Sequence, residues 1–272
     1  MSLKYALLAT EGPHDQAVIG RLLELLGLKK FNGKFEVLEP FWKKFIPDYP
    51  RKGNLYARMN MPSLFTSQAY SVAVYHDEGR DNLLGNLMAA VASYESRAQD
   101  FHAFGLIVDA DNKEPGKVAK EYVRKLNEYA KEFEVSFPSI SDAPGVVTGG
   151  TPRTGIYVLP DNKKPGVLDN VLVNCASVVY PDHKDGAEQF LSGLKTTHKS
   201  HWKPFDDQKA VVASIVSVLK PGMANTPSIA QDRWVCEQTV QDVPEIAMLK
   251  QFIEILLELP VGEPVAAPQP GL

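Results

Sequence analysis

The chain has 272 residues, 44% of them hydrophobic, and a formal charge of -4 at pH 7 from 29 Lys+Arg against 33 Asp+Glu. That is enough apolar material for a continuous core and too little positive charge for a general attraction to nucleic acid or anionic lipid, so any polyanion site has to be local. Two cysteines, Cys175 and Cys236, exclude a disulfide framework. With no zinc-like Cys/His spacing, no signal-peptide pattern and no apolar run near the roughly twenty residues that cross a bilayer, the expectation is a cytoplasmic protein without a membrane partner.

Tyr5-Ala6-Leu7-Leu8-Ala9-Thr10 is a short apolar run that stops at Glu11-Gly12, the pattern of a buried strand meeting a turn. After Pro13, Val18, Leu22, Leu25 and Leu26 recur at helical spacing until Gly27. From Glu39 the pattern gives way to prolines (Pro40, Pro47, Pro50), aromatics (Phe41, Trp42, Phe45, Tyr49, Tyr56) and bases (Lys43, Lys44, Arg51, Lys52, Arg58), read as an irregular insertion at about 39–68. Periodicity returns with a strand at Tyr70–Tyr75 and a helix from about Asp81 to Arg97. A third strand, Ala103–Val108, stops at Asp109-Ala110-Asp111 and is followed by a helix from about Pro115 to Phe133.

A Pro-, Gly-, Ser- and Thr-rich linker from Ser136 to Thr154 leads to a fourth strand, Gly155–Leu159, which stops at Pro160-Asp161-Asn162. The remainder reads as helices at Val167–Ser177, Lys184–Thr197, Asp207–Leu219 and Pro244–Leu259. No internal repeat is found. The tail from 260 to 272 carries four prolines and no helical period, so it is expected to be disordered. Alternating strands and helices predict an α/β fold, a mostly parallel central sheet with helices on both faces and extra C-terminal helices, as one domain over residues 1–259.

In such a sheet ligands bind beyond the carboxyl ends of the strands. Acids stand at three of those ends: Glu11, then Asp109 with Asp111, then Asp161. Asp109 and Asp111, two residues apart, leave the same face of an extended segment and can share one ion. Carboxylate oxygens without thiolates or imidazoles suit Mg²⁺ or Mn²⁺ rather than zinc. Each acid alone reads first as a helix cap or turn former, the reading given to Asp142 and Asp182. Together they repel one another, a cost that a bound cation removes.

Glu11-Gly12-Pro13-His14-Asp15, after a strand and opening a helix, resembles the first motif of Toprim domains, and Leu106–Asp111 resembles their Asp-x-Asp second motif. Gly155–Asn162 with Gly166-Val167-Leu168-Asp169, Lys220-Pro221-Gly222 and the stretch from Ala230 to Trp234 resemble more narrowly an uncharacterised Toprim-related group of microbial proteins, so the likeness spans most of the chain outside the tail. The resemblance implies a Toprim-like three-layer fold and Mg²⁺- or Mn²⁺-dependent phosphodiester chemistry on nucleic acid, as in a nuclease. Glu11 would be general acid/base or metal ligand, Asp109 and Asp111 metal ligands, and His14, Asp15, Asp161, Asn162 and Asp169 supporting residues. A non-catalytic nucleic-acid or nucleotide sensor, working with a protein partner or as a homo-oligomer, is the alternative. The second motif departs from the family in its continuation, Asn112-Lys113-Glu114-Pro115, where Lys113 is placed to neutralise the acids in a metal's stead.

Weaker signals each carry two readings. His14 is a phosphate contact or a solvated first-turn histidine, and the basic, aromatic insertion is a nucleic-acid grip or a surface lid with its own apolar cluster. Arg153 reads as a loop charge rather than a phosphate contact. His198 and His201 lack a third zinc ligand, and both cysteines read as ordinary buried thiols.

Overall fold

The computed structural model describes residues 3–43, 61–77, 80–92, 100–136 and 139–259. Its seven-stranded sheet runs β2-β3-β4-β1-β5-β7-β6. Four strands carry it: β1 (Lys4–Thr10), β4 (Tyr70–His76), β5 (Ala103–Asp109) and β7 (Arg153–Leu159), with β4 and β5 parallel to β1 on either side and β7 parallel to β5. Short antiparallel strands finish both edges, β2 (Lys29–Lys30) and β3 (Ser63–Thr66) on one and β6 (Val147–Thr148) on the other.

The near-continuous apolar runs are explained by burial on both faces. Successive residues of β1 point to opposite sides: Ala6 and Leu8 join one core cluster, Leu7 and Ala9 the other. The first face is covered by α1 (Pro13–Leu25), α5 (Leu168–Val179), α6 (Pro181–Ser192), α7 (Asp206–Leu219), α8 (Asn225–Gln231), α9 (Glu237–Asp242) and α10 (Pro244–Leu257). The second is covered by α3 (Arg80–Ala92), α4 (Pro115–Glu132) and the short α2 (Pro40–Lys43). Two strand glycines let α10 lie close to the sheet. Gly105 and Gly155 are register partners, and a Cβ on them would stand 2.6 Å from Leu256 Cδ2 and 2.9 Å from Phe252 Cε2.

The expected elements and their order hold over the described residues, with differences at the edges; residues 93–97, the end of the helix expected from about Asp81 to Arg97, lie outside the described residues. The insertion is less irregular than expected, because Leu64 and Phe65 are buried in β3, which pairs with β4. Phe41 stacks on Tyr5 at 3.8 Å and Trp42 is wholly buried, its Nε1 donating to Ser71 Oγ at 2.8 Å. Those two rings are core rather than base-stacking platforms; residues 44–60 lie outside the described residues. The sixth helix starts at Pro181, three residues before the expected Lys184, since a proline at the first helical position sets φ and lacks only a donor the helix does not use. The tail, 260–272, also lies outside the described residues. Among the described residues no helix is long and apolar enough to cross a membrane.

Candidate functional site

The carboxyl ends of β1 and β5 are adjacent, but their outgoing helices separate, α1 packing on one face of the sheet and α4 on the other. This is a topological switch point, where the diverging loops leave a crevice. Glu11 enters it from the end of β1, His14 and Asp15 from the first turn of α1, Asp109 and Asp111 from the end of β5, and Asp169 from the first turn of α5.

Asp15 is buried at 7% exposure. Burial first, then the charges of Glu11 and Asp169, push its carboxyl up to about 8, against the opposing pull of the Asp15 and Gly12 amides. Asp109 is raised well above the ordinary carboxylate range by burial and by Asp15, Glu11 and Asp111, although its Oδ1 accepts the Leu168 N–H at 2.9 Å. Asp169 is raised by burial, with His14 and Lys209 acting the other way, and burial lowers His14. The strongest charges felt by Asp15 and Asp109 are thus other carboxylates. Glu11 is held by a donor from the opposite face: the hydroxyl of Tyr122, a wholly buried residue of α4, donates to its Oε1.

Lys113 does not neutralise this group, because its Nζ lies 2.7 Å from Glu121 Oε2 on α4. Asp111 differs from expectation in geometry. The strand ends at Asp109, Ala110 is buried, and Asp111 sits exposed in left-handed backbone at φ 52, so the same-face rule of an extended segment stops short of it. Aspartate tolerates that conformation, and paired backbone bonds of 2.8 Å each way with Gly166 fix it.

Asp161 and Asn162 are not brought into the acidic group. Asp161 Oδ1 accepts the Lys163 and Lys164 N–H groups at 2.9 and 2.8 Å, and Asn162, at φ 64, accepts the Val158 N–H at 2.8 Å. They are turn formers. Arg153 is an ion-pair residue at the far edge of the sheet, 2.9 Å from Glu258. Cys175 is a buried thiol pushed up to about 12 by burial first and by Glu245. Tyr122 is the residue that sequence reading missed; its only signal was its place among the apolar positions of an amphipathic helix.

Among the described residues no three His, Cys, Asp or Glu side chains are arranged to hold a metal ion as they stand. Mg²⁺ needs fewer, since it keeps several waters and is bound by one or two carboxylates with substrate phosphate completing the shell. Oxygen donors that repel one another fit a hard divalent cation in chemistry and charge.

The fold resembles the crystal structure of hypothetical protein PH0156 from Pyrococcus horikoshii OT3, at 15% identity and a TM-score of 0.49 over 92% of this chain and 100% of that one. No curated protein matches the chain. The model of a family described as "Protein of unknown function (DUF3226)" matches residues 5–258, so the chain belongs to the DUF3226 family.

Proposed function

We propose that the crevice is the centre of a Mg²⁺- or Mn²⁺-dependent phosphodiester enzyme of Toprim type that acts on nucleic acid. The observation that supports this reading is the gathering of Glu11, Asp15, Asp109 and Asp111 at the switch point, with Asp15 held high by burial, Glu11 and Asp169, and Asp109 by burial, Asp15 and Glu11, while the nearby lysine is turned to Glu121. A divalent ion relieves that repulsion. Asp109 and Asp111 would hold it, with Glu11 beside them. When bound, the ion supplies Lewis acidity toward a phosphoryl oxygen.

The protein's own part is to bind, orient and move a proton. Leu168 N–H fixes one oxygen of Asp109, and the Tyr122 hydroxyl fixes one oxygen of Glu11. A carboxylate so placed can take a proton from an attacking water or return one to a leaving oxygen.

The test is cleavage of plasmid and single-stranded DNA with Mn²⁺, comparing the parent with Glu11→Gln and with the Asp109→Asn, Asp111→Asn double variant. The expected result is metal-dependent cleavage in the parent only, with oligonucleotide binding retained by Glu11→Gln. Cleavage at the parental rate in Glu11→Gln overturns its role. A parent without cleavage above a metal-only control, together with tighter oligonucleotide binding by Glu11→Gln, would establish the non-catalytic sensor instead, since removing a negative charge near phosphate favours binding.

A further inference from the structure

The loops that follow β5 and β7 carry one short motif twice. Asp111-Asn112-Lys113-Glu114-Pro115-Gly116 and Asp161-Asn162-Lys163-Lys164-Pro165-Gly166 differ only at Glu114 and Lys164. At this scale the expectation of a chain without repeats is corrected. β5 and β7 are parallel neighbours in a register that pairs Gly105 with Gly155 and Asp109 with Leu159, so the two copies leave the sheet side by side and level. The paired backbone bonds between Asp111 and Gly166 tie the start of one copy to the end of the other.

The same residues have opposite electrostatic uses in the two copies. In the first, the acid is exposed beside Asp109 and the lysine is engaged with Glu121. In the second, the acid is buried and its Oδ1 takes two backbone N–H groups, while Asn162 accepts a third. That turn lifts Lys163 and Lys164 to the surface, where the Lys164 side chain is 78% exposed and its Nζ keeps only a long 3.9 Å contact with Asp161. One loop therefore offers negative charge and its neighbour, on a strand about 4.8 Å away, offers positive charge from a turn held by its own side chains.

A phosphate approaching carboxylates is repelled unless cations lie along its path. We propose that the 161–166 loop is the phosphate-gripping half of the site, with Lys163 and Lys164 taking backbone phosphates of a nucleic-acid strand whose neighbouring phosphate lies over Asp109 and Asp111. The inference rests on the reading of the crevice as a divalent-cation site for phosphodiesters. The acid of the first copy faces the metal, and the lysines of the second face the strand.

The test is anisotropy of a labelled single-stranded oligonucleotide titrated with the full chain in Mn²⁺, beside Mn²⁺ uptake followed by electron paramagnetic resonance. Four proteins are compared: the parent, Lys163→Ala with Lys164→Ala, Lys163→Arg with Lys164→Arg, and a control, Lys29→Ala with Lys30→Ala, that removes the same charge from the exposed edge strand β2. Oligonucleotide affinity is expected to fall about tenfold in the loop variant alone, its log–log salt slope shrinking by roughly 1.4 for two lost single-strand phosphate contacts. Lys163→Arg with Lys164→Arg keeps the parental affinity. Mn²⁺ uptake stays at the parental level throughout. Equal losses in the two double variants, no loss in either, or parental Mn²⁺ uptake without oligonucleotide binding overturns the proposal and leaves the metal reading standing. A parent that takes up neither Mn²⁺ nor oligonucleotide overturns both.

Discussion

At the amino edge of the sheet, the first residues of the parallel strands converge on one acid. Glu258 is 2.9 Å from Arg153, 3.4 Å from His102 and 3.6 Å from Lys4, and its backbone oxygen accepts the Tyr70 hydroxyl at 3.1 Å. At the carboxyl edge the arrangement is reversed: several acids share a crevice, and the charges that act most on Asp15 and Asp109 are carboxylates. The first arrangement lowers its own energy by bringing opposite charges together, and it pins the end of α10 to the sheet. The second raises its own energy unless something cationic is added. A folded chain keeps such a cost where a ligand removes it, and the acids rather than the bases therefore carry the proposed site.

The sharpest way to break this comparison is to remove an acid from each edge. Asp15→Asn keeps the shape and an acceptor for the Gly12 and Asp15 amides while removing a buried carboxyl that resists ionisation. In EDTA at pH 8, it is expected to raise the melting temperature by on the order of 5–10 °C, taking roughly 2–4 °C per kcal/mol for a chain of this size. The same substitution should weaken Mn²⁺ uptake, a trade of activity for stability. Calorimetry with and without Mn²⁺ checks both. A melting temperature below the parent's would remove the claim of repulsion.

The pH dependence has its origin in the same group. Asp15 is raised from 3.8 to about 8. Between those values the folded protein holds a proton that the unfolded chain releases, so stability falls as pH rises through the window and levels off above it. Metal-free parent protein should therefore melt higher at pH 5 than at pH 8, and Asp15→Asn should remove that share of the slope. Added Mn²⁺ favours the ionised acids, so its stabilising effect is expected to grow toward pH 8. A parent and variant with superimposable profiles would contradict the assignment.

At the amino edge the sign reverses. Glu258→Gln leaves Lys4 and Arg153 without their acid and is expected to lower the melting temperature by about 3 °C. The effect is modest because the carboxylate is 46% exposed and such pairs contribute roughly 1 kcal/mol or less. The loss should shrink in high salt and leave Mn²⁺ uptake unchanged.

The contrast also explains what could be read from the residues alone. The four parallel strands and the acids at their ends were legible because buried strands are apolar runs and Glu11, Asp109 and Asp111 come directly after them. Asp161 was legible as an acid at a strand end that could be a ligand or a turn former, and only geometry decides for the turn former, by showing its oxygen on the Lys163 and Lys164 amides. Lys113 illustrates the converse: its sequence neighbours are acids of the proposed site, but the fold pairs it with Glu121 of α4. The base cluster at Glu258 was hidden because its members come from four strand starts and the last helix, and no local pattern links them.

The smallest expected effect tests how the carboxyl edge is held rather than how it is charged. Tyr122→Phe removes only a hydroxyl and keeps a buried ring in the core, so the melting temperature should stay within about 3 °C of the parent, a single hydrogen bond contributing roughly 1 kcal/mol. Glu11 loses one of the contacts that orient it, and under the proposed function part of that ordering falls to metal binding. Ordering one such side chain costs on the order of 0.5–1 kcal/mol, a factor of about two to five in Mn²⁺ affinity. A neutral donor thus contributes to binding more than to folding, the opposite of what Arg153 does for Glu258. If Tyr122→Phe melts markedly lower while Mn²⁺ affinity is untouched, Tyr122 is a packing residue and Glu11 is positioned by something else.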